Sequence, residues 1–174
     1  MKRLALLVVG VVLALLGSRL LLSNVAAYGT LILLMRDPPA SWGPATAVYI
    51  TCSDILIHRA DAGDEAGWLR TGVSVTNLSL REVVIFKTMI GETALPIGVY
   101  TILRFNVTQA IATVNGKNYS CRVTSGKLHV PIAGGGVHIT GGQISRLEID
   151  ITPTIMGKDG HFSLKPVARA TPTQ

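Results

Sequence analysis

Leu147, Ile149 and Ile151 alternate with Glu148, Asp150 and Thr152, and this period of two constrains the chain more than any other feature. Apolar side chains at every second position share one face of an extended strand, so the segment buries one side and wets the other. The same grammar runs from Tyr28 onward, in short β-branched runs separated by Gly, Pro, Asn and Asp and with no sustained period of 3.6. It predicts strands at Gly29–Met35, Ala47–His58, Gly67–Thr71, Val83–Lys87 and Tyr100–Val114. Further strands are expected at Lys117–Val123, Lys127–Val130, Gly136–Thr140, Ser145–Thr152 and His161–Val167. Asn115-Gly116, two residues able to take positive φ between apolar runs, reads as a tight hairpin turn. Arg36-Asp37-Pro38-Pro39 should end the first strand, because proline cannot donate to a ladder. In Leu95-Pro96-Ile97-Gly98-Val99-Tyr100, a Pro/Gly turn leads into a strand whose Tyr100 should point inward, its hydroxyl meeting a backbone partner near the turn. The expected class is all-β, an antiparallel β-sandwich of the transthyretin-like or Ig-like kind over residues 28–170, with a short loose tail at 171–174.

Residues 1–27 follow different rules. Met1-Lys2-Arg3 precedes an unbroken apolar run, Leu4–Leu16. At about 1.5 Å per residue a helix of that run spans roughly 20 Å, short of the roughly 30 Å of bilayer hydrocarbon. This is the pattern of a secretory signal, with Val25-Ala26-Ala27 as a cleavage site that leaves Tyr28 first. The competing reading extends the segment through Leu20-Leu21-Leu22, lets Arg19 snorkel to the interface and keeps a membrane anchor helix. Both put the domain on the outer side, since Lys2 and Arg3 stay inside. Setting Lys2, Arg3 and Arg19 aside leaves 13 basic against 10 acidic residues, a net +3 spread singly along the chain. That lacks the clustered footprint of a nucleic-acid binder. With 48% apolar and 15% charged residues, the chain can bury one core.

Catalytic and ligand motifs are sparse. His58, His129, His138 and His161 are dispersed, with no pair at metal-ligand spacing. There is no GxSxG elbow, and Gly134-Gly135-Gly136 precedes a strand, so it reads as a flexible turn and not a phosphate loop. Asp61, Asp64 and Glu65 are a weak calcium candidate: three carboxylates in a Gly-rich loop, fewer than the six to eight oxygens that Ca²⁺ takes. No cofactor is implied. Cys52 and Cys121 should both point into the core, where an exported domain permits either a disulfide or two inert thiols. Asn77-Leu-Ser79, Asn106-Val-Thr108 and Asn118-Tyr-Ser120 are glycosylation sequons, three from five asparagines. Asn106, between inward Phe105 and Val107, should face solvent, as should Asn118 after the turn.

Taken in order, GTLILLMRDPP, AVYITCSDILIHRA with GWLR, LPIGVYTILRF, TVNGKNYSCRV with TSGKL, and LEIDIT with FSLKPVARA resemble the DUF4382 family of prokaryotic domains of unknown function, from about Gly29 to Ala168. The resemblance implies one sandwich domain, transthyretin-like in shape, on exported or lipid-anchored bacterial and archaeal proteins, and implies no activity. The chain departs from the pattern at Thr124, where a proline is usual, and at Gly134–Gly136; it also has no lipobox cysteine. Three functions are carried forward. The first is a non-catalytic cell-surface domain with a structural, adhesive or carbohydrate-contact role, whose partners are envelope proteins or glycans. The second is a filament subunit donating its N-terminal strand to another copy. The third is a secreted metal-binding protein or enzyme whose groups converge only in space.

Overall fold

The structure is a computed structural model that describes residues 27–36, 42–81, 87–123 and 125–173. Eleven strands follow one another: β1 Tyr28–Arg36, β2 Ala47–Arg59, β3 Trp68–Arg70, β4 Val75–Ser79, β5 Thr88–Pro96, β6 Gly98–Val114, β7 Lys117–Val123, β8 Lys127–Pro131, β9 Val137–Ile139, β10 Ile144–Lys158 and β11 His161–Thr173. The all-β class and most strand positions stand as read. The expected strand Val83–Lys87 and the N-terminal segment fall outside the described residues, apart from Lys87 and Ala27. β4 and β5 were not anticipated. The supposed tail is also strand as far as Thr173, because Thr171, Pro172 and Thr173 pair with Glu148, Leu147 and Arg146.

β6 is the spine. One edge pairs along almost its whole length with β2, from Ala47↔Thr113 to Arg59↔Tyr100. Its other edge takes β9 at Gly98–Tyr100, β8 at Ile102–Asn106 and β7 at Ile111–Val114. β7 then pairs in parallel with β11 at Phe162–Leu164, and the order continues through β10 and β1 to β5. Because β7 serves both halves, the ladder is continuous and curls into a half-barrel, where two separate stacked sheets were expected. The sheet is also mixed: β1 lies parallel to β10 and antiparallel to β5. A hairpin forces antiparallel pairing only between sequence neighbours, and the long chain between β1 and β10 leaves their direction free.

The core fills the concave side. Leu31, Leu33 and Met35 of β1 and Leu147, Ile149 and Ile151 of β10 face Val48, Ile50, Ile55 and Ile57 of β2 and Leu103 and Phe105 of β6, all buried. Burying one such side chain is worth about 1.5–3 kcal/mol. Within the chain β1 has partners on both edges, β10 and β5. The Asn115-Gly116 turn has φ of 49° and 74°, the positive pair a tight hairpin requires. Tyr100 is fully buried and its hydroxyl donates to Pro96 O at 2.9 Å, as the turn predicted.

Register irregularities in β2 decide what faces outward. Pairing with β6 slips between Thr51 and Cys52 and again between Cys52 and Asp54. Each slip advances one strand relative to the other and changes which parity faces the core. Val48, Ile50 and Cys52 point inward before it, and Ile55 and Ile57 after it. β6 changes phase at the same level, with Leu103, Phe105 and Val107 inward on one side and Ala110 and Ala112 on the other. The face of the sheet away from the core beyond the slip therefore carries Asp54, Leu56 and His58 on β2, each largely covered, and the half-buried Ile102, Arg104 and Asn106 on β6.

Candidate functional site

That face is a grid set by register. Trp68, His58, Ile102 and Pro131 form one row across β3, β2, β6 and β8; Arg70, Leu56, Arg104 and His129 form the next. Asp54, Asn106 and Lys127 follow. Trp68 is the centre. The Arg104 guanidinium carbon lies 4.2 Å from its ring centroid, a cation–π contact. His58 meets the indole edge-on at 4.9 Å between centroids, and His129 lies tilted at 6.1 Å. Arg70 Nη1 reaches Asp54 Oδ2 at 2.9 Å. Arg104 Nε is buried with no hydrogen-bond partner among the described residues.

The loop Ala60–Gly67 closes one side of a groove of about 280 Å³ lined by His58, Asp64, Glu65, Trp68, Ile102, Arg104 and His129. Its shape is fixed locally. Trp68 Nε1 donates to Asp64 O at 2.9 Å, and His58 Nε2 lies 3.2 Å from Gly63 O. Gly67 is required by proximity: a Cβ there would sit 2.6 Å from His58 Nε2. Arg59 grips Asp61 with Nε and Nη2 at 2.8 and 2.7 Å. That pairing holds the Asp61 carboxyl below its ordinary range.

The calcium candidate does not assemble. Asp61 is engaged by Arg59, and among the described residues no cluster of three His, Cys, Asp or Glu could hold a metal ion. Instead Asp64 and Glu65 line the groove with two histidines that the sequence presented as isolated. His138, on β9, pairs with Val99 of β6, and His161 lies at the β10–β11 hairpin, both away from the groove. Trp68, Arg104 and Ile102 were not singled out from the sequence, although the alternation along β6 between buried Leu103 and Phe105 already sends Ile102 and Arg104 outward.

Cys52 and Cys121 are free and buried. β6 stands between their strands, so two interstrand gaps of about 4.8 Å separate them, beyond the roughly 7 Å Cα separation a disulfide spans. Burial pushes the Cys52 thiol up to about 12 and raises that of Cys121 as well. The larger concavity at the β7–β11 junction, about 710 Å³ and lined in part by Cys121, Arg122, His161 and Phe162, thus holds a protonated thiol with little nucleophilic character. Of the sequon asparagines, Asn77 is exposed with φ 50°, Asn118 is exposed and accepts from Thr113 Oγ1 at 2.7 Å, and Asn106 is only half-buried, less open than expected.

A family profile described as a domain of unknown function, DUF4382, matches residues 28–166. The chain belongs to that family. The DUF4382 match spans every strand from β1 into β11 and includes the whole groove. A search of curated proteins finds no match. Among solved structures, a Bacteroides fragilis protein provisionally described as a cell adhesion protein aligns over 81% of this chain at 11% identity with a TM-score of 0.32. This chain spans 45% of that protein's length.

Proposed function

We propose that this DUF4382 domain is a non-catalytic, exported cell-surface module that contacts carbohydrate through the Trp68 groove. The observation that carries the reading is the convergence of Trp68, Arg104, His58 and His129 from four strands beside Asp64 and Glu65. A sugar ring presents an apolar face and a rim of hydroxyls. An indole ring and an aliphatic Ile102 suit the first, while guanidinium and imidazole donors with carboxylate acceptors suit the second. Few, well-placed polar groups around an apolar floor are the usual makeup of a small-ligand site. The imidazoles have no serine or threonine hydroxyl and no cysteine thiol among the groove residues to activate, which favours binding over nucleophilic chemistry. The outward location rests on the Lys2-Arg3 segment ahead of the apolar run.

The test is a glycan array probed with the intact protein, followed by titration calorimetry on the best ligand. Trp68→Ala and Arg104→Ala should each weaken binding at least tenfold while Thr108→Ala, exposed on β6 outside the groove, leaves it unchanged. Absence of any glycan that is sensitive to Trp68 rejects the reading.

A further inference from the structure

Three large apolar side chains lie exposed at one rim of the domain: Tyr28 at 49%, Ile97 at 50% and Ile144 at 57%. They come from different strands and turns but are fixed as neighbours. Tyr28 pairs with Pro96, the residue before Ile97, and Thr30 pairs with Ile144. Ile97 N donates to Ala27 O at 3.0 Å, and Gly142 N donates to Tyr28 O at 2.9 Å. The rim is therefore also the point at which the polypeptide enters the domain from residues 1–26.

An isolated exposed apolar residue needs no explanation, but an aromatic with two isoleucines at a single edge marks a contact surface. The chain itself restricts what lies opposite. Only residues 23–27 separate Leu22, the end of the apolar segment, from Tyr28, a span of at most roughly 20 Å when fully extended. If Leu4–Leu22 remains in the bilayer, this tether holds the rim within roughly 20 Å of the membrane surface. Tyrosine, with an apolar ring and a polar tip, is the residue type that settles at the headgroup level, and the isoleucines add apolar area beside it.

We infer that Tyr28, Ile97 and Ile144 form a membrane-apposed surface that seats the domain on the lipid headgroup layer, with Leu4–Leu22 as its retained anchor. The rim then acts as a second, weak attachment, and it fixes the orientation of the domain so that the Trp68 groove is held at a constant attitude to the bilayer. Two attachments of this kind reinforce one another, because the anchor holds the rim at high effective concentration against the surface.

The test uses the full chain in vesicles of phosphatidylethanolamine and phosphatidylglycerol. Ile144→Cys carries an environment-sensitive fluorophore, and Val167→Cys, 72% exposed and paired with Thr152 roughly 25 Å further along β10, carries the same label as control. Cys52 and Cys121 are buried, and a mock-labelled parent corrects for them. The expected result is blue-shifted emission at position 144 and several-fold stronger quenching there than at 167 by a lipid bearing a headgroup-level nitroxide. Tyr28→Ser with Ile97→Ser should reduce that quenching while the chain stays with the vesicles. Equal quenching at both positions overturns the inference. A blue shift at 144 without lipid quenching assigns the rim to a second copy and overturns it as well. Native material beginning at Tyr28 would remove the anchor, with the same consequence. Glycan binding at Trp68 is read separately and is independent of each of these results.

Discussion

Removing the Tyr100 hydroxyl by Tyr100→Phe takes away its bond to the Pro96 carbonyl and its interaction with Arg59 while the aromatic ring stays in place. Losing the hydroxyl should cost about 1–2 kcal/mol, read as a lower urea midpoint at unchanged m-value. Cys52 tests a different property of the same core. Burial raises its thiol pKa from near 9 to about 12, so the folded form stays neutral where the unfolded chain ionises. The associated stability is fully present below about pH 9 and is lost as pH rises from there toward 12. Cys52→Ala should therefore be less sensitive than the parent to alkaline unfolding across that window, in paired urea titrations at successive pH values. If instead the parent and Cys52→Ala lose stability in parallel above pH 9, the buried-thiol account is wrong. The free state of both cysteines also requires two reactive thiols on denaturation without reductant.

At the level of elements, Glu148 joins three segments of one half of the sheet. From β10 it meets Arg36 at the end of β1 at 3.3 Å and Lys87, just before β5, at 2.6 Å. Lys87, with help from Arg36, holds the Glu148 carboxyl below its ordinary value against the opposing effect of burial. For a depressed carboxyl the contribution is present above the unfolded pKa of about 4.3 and is lost as pH falls through the lower folded value. Glu148→Gln should lower stability by roughly 1 kcal/mol near neutrality and flatten the acid limb of the stability profile below about pH 4. Thermal unfolding between pH 2.5 and 7 measures both. An acid limb as steep as the parent's would mean that other carboxylates dominate it.

Across the whole molecule, the weak line is the junction of the two halves. β2 and β6 share a ladder from Ala47 to Arg59, whereas β7 and β11 share only Phe162–Leu164 against Cys121–Val123, supported by the Tyr119–Phe162 ring contact at 5.1 Å and the Ile132↔Ala170 bridge. Short ladders open at lower free energy than long buried ones. Hydrogen exchange should find the amides of the β7–β11 seam exchanging well before those of the β2–β6 centre, and Phe162→Ala should widen the difference. Protection at the seam equal to that of β2–β6 would show one fully cooperative unit. The half-barrel also sets the prospects of strand exchange between copies, because donating β1 requires withdrawing Leu31, Leu33 and Met35 from the core.

The local rules of the chain were legible wherever one residue's neighbours in sequence decide its environment. Alternation in Leu147–Thr152 located an inward and an outward face, Asn115-Gly116 supplied positive φ for its turn, and Pro96-Ile97-Gly98 placed the Tyr100 hydroxyl beside a backbone acceptor. The ordered set of such segments was enough to identify the family. β4 and β5 escaped because Val75–Ser79 contains Asn77 with positive φ and Thr88–Pro96 contains Gly91, Glu92 and a terminal proline. Strands paired on only one edge tolerate such residues, and so they lose the signature of a buried strand. Tertiary structure alone decided three things. The sharing of β7 between β6 and β11 turned two expected sheets into one curled ladder, since pairing partners far apart in sequence leave no local trace. The placement of β6 between Cys52 and Cys121 kept the thiols apart. The paired register slips in β2 and β6 turned Arg104 and His58 outward together, and only the β3 and β8 ladders brought Trp68 and His129 to meet them.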